Sequence, residues 1–261
     1  MRFNFLPSTF TLALFALFSF LLLAFGQESG QTKRPYRPNG SEATISGEIT
    51  FKGEVPKPRH MKMEADPACQ ITTKYTTSED AIVNHGKLAN VFVYIKSGDA
   101  LDFYSFESPT SSARLRDQGC RYLPHVLGVR VGQTLMISSE DPTFHHPHAL
   151  PRLNQEWNLP LPQDSAPILK SFEHPEVAIL MKDNQHPWER AYVGVFSHPF
   201  FATSDQRGNY RIAGLPPGHY SLAAWHERFG EQTMEITIRS GESRKIDFSF
   251  SPTLPAPKSL N

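Results

Sequence analysis

The chain has 261 residues, enough for one large or two modest domains once its ends are set aside. Its 26 Lys and Arg balance 26 Asp and Glu, and no run of like charge occurs. With no net field to concentrate polyanions, the composition argues against a nucleic-acid partner.

At the N-terminus Arg2 precedes an apolar stretch from Phe10 to Phe25 that closes with the small residues Ala24 and Gly26. A basic start, an apolar run and a small-residue end are the layout of a signal peptide, expected over residues 1–26. The run is shorter than the roughly 20 apolar residues of a bilayer span, so no transmembrane segment is expected in the mature chain. The expected location is secreted, periplasmic or at the cell envelope. Residues 27–42 are Gly, Ser, Pro and charged types without periodicity, the composition of a flexible linker.

From there the pattern is that of strands. Ile45, Gly47, Ile49 and Phe51 alternate with Ser46, Glu48 and Thr50, giving a strand with one buried face. Further short runs at 91–95, 129–137 around Gly132, 177–181 and 192–196 read the same way. No stretch of ten residues keeps a helical period, and 22 prolines are spread along the chain. An all-β architecture is expected. The polar or proline-rich segments 100–116 and 150–171 give no assignment. Toward the C-terminus, turns at 205–208, 215–218 and 240–242 separate strands around Tyr210 and Ile212, at 220–225, at 233–238 and at 245–250, the regular spacing of a small sandwich. Residues 251–261 are too poor in apolar side chains to pack and are expected to be disordered.

The chain has two cysteines, Cys69 and Cys120, so one intramolecular pairing exists. In an oxidising compartment that pairing is a disulfide. The competing reading makes one of them a thiolate metal ligand.

The steps Gly208-Asn209-Tyr210, Leu215-Pro216-Pro217-Gly218-His219-Tyr220 and Ala224-Trp225-His226 resemble the carboxypeptidase regulatory-like, transthyretin-like sandwich, which implies a supporting module over residues 202–250. The stretch 43–201 resembles bacterial secreted cupredoxin-like proteins of the plastocyanin-like or methylamine-utilisation-like kind. The residues carrying this are Leu88 to Tyr94, Asp117 to Val126, Asp141 to His148, His186-Pro187-Trp188, Ala191 to Val195 and His198 to Ala202. The implied fold is a cupredoxin-like Greek-key sandwich followed by the smaller sandwich, with strand 43–52 free to pair into the C-terminal module. The family pattern keeps counterparts of Cys69 and Cys120 beside its ligand Cys, which favours their pairing with each other.

Such cupredoxins hold copper through a first His, a Cys, a second His and an axial Met. The first His matches His145, with His148 close by, and the second matches His186. Where the family has Cys before and Met after that second His, this chain has Asp183 and Glu189. Both sulfur ligands are replaced, so a blue-copper electron carrier is not expected. His145, His148, His186 and Asp183 remain as candidate ligands for a copper or zinc ion, with Glu189, His146 and His125 as neighbours.

The function expected is a secreted binding or scaffold protein with a degenerate type 1 copper site that takes Cu(II) or Zn(II) through His and carboxylate ligands. Two others stand beside it: a metal-free scaffold for an unknown protein or glycan partner, and a metal-dependent enzyme. No nucleophile elbow, phosphate loop, dinucleotide fingerprint or zincin helix occurs, so an enzyme is not the expectation and no catalytic residue is assigned.

Overall fold

The computed structural model describes Met1 and residues 32–252. The signal-peptide segment and the last nine residues lie outside the described residues. No helix among those described is long and apolar enough to cross a membrane.

The strands of three residues or more begin with β1 (Ala43–Phe51), β2 (Phe92–Gly98), β3 (Ala113–Asp117), β4 (Val126–Arg130) and β5 (Leu135–Ser139). They continue with β6 (Pro147–Leu150), β7 (Ile168–Lys170), β8 (Glu176–Asp183), β9 (Arg190–Phe196) and β10 (Phe201–Thr203). The last are β11 (Asn209–Leu215), β12 (Gly218–His226), β13 (Gly230–Ile238), β14 (Ser243–Lys245) and β15 (Phe248–Phe250). Two short helices, α1 (Pro67–Thr72) and α2 (Asp99–Phe103), complete the frame. The all-β class expected from the alternating pattern, and the two sandwiches that the resemblances imply, are what the chain forms.

One sandwich packs the sheet β10-β2-β12-β13 on a sheet in which β1 is antiparallel to β11 and parallel to β14 and β15. The period-two pattern of β1 puts Ala43, Ile45, Ile49 and Phe51 into the core, where they meet Val93, Ile95, Tyr210, Ile212, Leu222 and Phe248. Position 47 lies on the same face and is glycine because a Cβ there would come within 1.7 Å of the Ile246 carbonyl oxygen.

The other sandwich packs β7-β5-β3 on β6-β8-β9-β4, with Leu115, Ile137, Ala149, Met181 and Val193 inside. The run expected at 129–137 around Gly132 forms the end of β4 and the start of β5, which lie in opposite sheets. Segments 100–116 and 150–171, which the sequence left unassigned, contribute α2, β3, β7 and connecting loops.

The division expected between residues 201 and 202 runs differently in the sheets. Strand β1 pairs with β11, the pairing left open for it, and β2 pairs with β10 and β12. The second sandwich is therefore an insertion between β2 and β10. The linker expectation for 27–42 needs correction within its described part, because Arg34–Pro35 pairs with Tyr104–Ser105 and the Tyr36 ring packs 5.3 Å from Tyr104 and 5.2 Å from Phe106. Aromatic burial by Tyr36 outweighs the polar composition around it.

The sandwiches meet through aromatic side chains: Phe92, Tyr94 and Ala223 pack on Val126 and Phe196, and Trp225 lies 5.3 Å from Tyr192. Beside this junction buried Arg130 donates to the carbonyls of Phe106 (3.0 Å), Glu107 (3.3 Å), Phe196 (3.2 Å) and Ser197 (2.9 Å). Arg130→Met strips these four acceptors of their donor and is expected to cost about 3 kcal/mol or more. Lysine cannot reproduce the planar fork, so Arg130→Lys should recover little of it in urea unfolding.

His198 and His226 are buried, and burial pushes each down to about 4. Both hold the neutral form by accepting a backbone N–H through Nδ1, from Phe200 and Arg228 at 3.1 Å. The unfolded chain takes up these protons near about 6.5, so between there and the folded value the unfolded state binds more protons and stability falls with acid. The loss should reach up to about 3 kcal/mol for each group. It is read as a falling urea midpoint from neutral pH into this window, and His226→Gln should flatten the slope; an unchanged midpoint contradicts it.

Candidate metal centre

The site sits at one end of the inserted sandwich, where β3, the β5–β6 connection, the β8–β9 turn and α1 converge. Each contributes a polar side chain for a local reason. Asp183 ends β8 and folds the turn behind it, its Oδ1 accepting from the N–H groups of Gln185 (2.7 Å) and His186 (2.9 Å). Its Oδ2 accepts from the His146 N–H at 2.6 Å and so ties the β5–β6 connection to the turn. The turn is closed by Glu189 N–H on the His186 carbonyl at 2.9 Å, which brings the side chains of His186 and Glu189 to the same side.

His145 and His186 face each other with their Nδ1 atoms 3.1 Å apart. Around them lie Asp117 Oδ2 at 3.0 Å from His145 Nδ1, Glu189 Oε2 at 3.6 Å from the same atom, and Glu189 Oε1 at 3.2 Å from His186 Nδ1. All four side chains are buried. Neither oxygen of Asp117 and neither of Glu189 meets a donor in hydrogen-bonding geometry, and His145 Nε2 has no partner either. Buried carboxylates are otherwise paired, so this set calls for a cation.

The surrounding groups set orientation. On the far side of its ring, His186 Nε2 donates to Asp66 Oδ2 at 2.9 Å, which leaves Nδ1 as the lone-pair nitrogen. Asp66 is itself fixed as the N-cap of α1, accepting from Ala68 N–H at 2.8 Å, and it takes the Thr143 hydroxyl at 2.6 Å. Helix α1 is pinned by the disulfide Cys69–Cys120, with Cα atoms 5.5 Å apart. Gly119 and Cys120 adopt the left-handed region, and Asp141 stabilises this by accepting both of their N–H groups, at 2.6 and 2.8 Å. Trp188 covers the assembly, its ring 5.1 Å from His186 and its Nε1 on the Cys120 carbonyl at 3.2 Å.

Charge in the cluster is strongly coupled. Burial, then the neighbouring Glu189 carboxylate, pushes Asp117 well above the usual carboxylate range. Against burial, the carboxylates of Asp117 and Glu189 raise His145 to about 11, and Glu189 and Asp66 raise His186. Glu189 itself is lowered, since the two imidazoles beside it outweigh its burial.

Of the residues named from the sequence, His145, His186, Asp183 and Glu189 come together. Their roles differ from the expectation: both oxygens of Asp183 are taken by backbone donors, whereas Glu189, expected only as a neighbour, presents free oxygens. His148 is not in the cluster. It alternates with buried Pro147 and Ala149 on β6, so its ring points to the other face and pairs with Glu156 at 2.6 Å. His146 contributes its backbone N–H while its ring lies by Phe144, and His125 pairs with Glu227 at the junction of the sandwiches. Asp117, Asp141 and Asp66 were not among the expected site residues. Asp66 before Pro67 is a helix-start signal, and that signal could have placed it.

The residues fit a metal ion. Two imidazole nitrogens 3.1 Å apart match two ligands on one ion with bonds of roughly 2.0–2.1 Å. Asp117 and Glu189 supply the anionic oxygens, and the two sulfurs are committed to each other. Such an N,O donor set suits Cu(II), Zn(II) or a similar borderline ion and lacks the thiolate of a blue-copper centre.

A model of the carboxypeptidase regulatory-like domain matches residues 179–251. The match covers β9 to β15 and the end of β8, so it takes in strands of the inserted sandwich and leaves out β1 and β2. Among curated proteins no sequence matches the chain. Among solved structures, a purple cupredoxin from Nitrosopumilus maritimus is 21% identical with a TM-score of 0.28, over 32% of this chain and 99% of that one. An amicyanin variant in its Cu(I) form is 20% identical with a TM-score of 0.29, over 40% of this chain and 97% of that one. A copper-containing nitrite reductase from Thermus scotoductus is 13% identical with a TM-score of 0.31, over 57% of this chain and 28% of that one. The family match agrees with the carboxypeptidase regulatory-like resemblance quoted from the sequence.

Proposed function

We propose that this is an exported metal-binding protein whose centre is held by His145, His186, Glu189 and Asp117, on a scaffold of two β-sandwiches. The observation that carries the reading is the pair of buried carboxylates without hydrogen-bond donors, set against two Nδ1 atoms 3.1 Å apart. A bound divalent ion satisfies all four at once. The ion is Cu(II) or Zn(II), and with both cysteine sulfurs committed to the disulfide the centre is of the type 2 kind rather than an electron-transfer blue site. The apolar leader from Phe10 to Phe25 and the disulfide support export.

The test is a titration of the chelator-treated chain with Zn²⁺ and with Cu²⁺. One ion per chain, bound without intense blue colour, is expected. Weak uptake with no defined stoichiometry would sink the proposal and turn attention to the metal-free scaffold.

A further inference from the structure

Next to the centre, but separate from it, two neighbouring cavities of about 230 and 370 Å³ share Arg59, Met61, Ser78, Trp188 and Arg190 and so form one cleft. The cleft lies where the two sandwiches and the segment around residues 59–80 meet. Its walls include the rings of Trp188 and Tyr192 and the Met61 side chain.

Its charges do not cancel, although those of the whole chain do. Four arginines, Arg59, Arg121, Arg190 and Arg228, line the larger-charged part against the carboxylates of Glu79, Asp80 and Glu227. Asp80 alone serves two of them, Arg228 at 3.1 Å and Arg59 at 3.6 Å, and Glu79 pairs with Arg121 at 2.5 Å, whose guanidinium also lies 3.4 Å over the Tyr75 ring. Glu227 is engaged by His125. Glu189 also borders it, but its carboxylate is buried and turned toward the two histidines. Arg190 has no carboxylate within 4.0 Å among the described residues, and the Arg121 Nε–H is buried without an acceptor. Lys62 adds a further cation at the other end.

An excess of guanidinium donors beside flat aromatic and thioether surface selects one chemistry. We propose that the cleft binds a small planar organic anion, of the aromatic carboxylate class, with its ring against Trp188 and Tyr192 and its charge on Arg190. This site needs no metal ion.

The test is calorimetric titration of the full chain with benzoate, and with benzamide as the neutral isostere, each with chelator and again with Zn²⁺. Benzoate should bind saturably at one per chain in both states, at least about tenfold tighter than benzamide. Arg190→Gln should weaken benzoate by about tenfold with an unchanged urea midpoint, and Arg190→Lys should restore part of the loss. Equal binding of benzoate and benzamide, no saturable heat, or an Arg190→Gln variant that binds as well as the parent each overturns the proposal. Benzoate uptake only in the zinc-loaded protein overturns it too, since the anion would then sit on the ion.

Discussion

A chain carrying both His145→Ala and His186→Ala is expected to lose stoichiometric metal uptake and the stability that metal confers. The two nitrogens that face each other at 3.1 Å are the neutral donors of the cluster, and no other imidazole is placed to replace them. His148 lies on the wrong face of β6, and His125 is engaged at the module junction. Metal that binds only the folded chain stabilises it by about 4 kcal/mol at a thousandfold excess over its dissociation constant. Thermal unfolding with and without Zn²⁺ should show that increment in the parent and not in the variant. Asp117→Asn supplies a change of opposite sign. Burial raises the Asp117 pKa above its unfolded value, so in the metal-free state its charged form works against folding as pH rises through the ordinary carboxylate range. The amide should make the metal-free chain more stable at neutral pH while weakening metal binding, and a variant that loses both would point to a purely structural role for Asp117.

Removing the disulfide, as Cys69→Ala with Cys120→Ala, is expected to lower stability and metal affinity together. The bond closes a loop spanning 51 residues, worth about 4 kcal/mol on the chain-entropy account. It also holds α1, and with it Asp66, the acceptor that fixes the His186 tautomer. Loss of such an orienting acceptor typically costs about 10–100-fold in affinity. Urea unfolding and a zinc titration on the same variant separate the two effects. An Asp66→Ala variant, with the disulfide intact, should reproduce the loss of affinity with a much smaller loss of stability.

The sequence shows the strands more readily than the site. Period-two alternation marks β1 because it buries one face, and the burial of Ala43, Ile45, Ile49 and Phe51 follows that pattern. The insertion is not legible in the same way, since alternation says which face of β1 and β2 is buried and nothing about which strand lies beside them. In the site, His145 and His186 stand out because they match the two histidines of the cupredoxin pattern that the chain resembles. The division of labour between Asp183 and Glu189 could not be read, because it depends on which carboxylate the backbone donors capture. Asp117 was hidden for a further reason: at the end of β3 it reads as an ordinary polar strand terminus, and only the parallel pairing of β3 with β5 brings it beneath His145.

The most direct test of a nitrogen and oxygen metal centre is electron paramagnetic resonance of the chain loaded with one equivalent of Cu²⁺. The structure predicts hyperfine coupling to two imidazole nitrogens, a spectrum without thiolate character, and loss of both couplings in the His145→Ala, His186→Ala chain. A spectrum unchanged by that double substitution would place copper elsewhere and contradict the account.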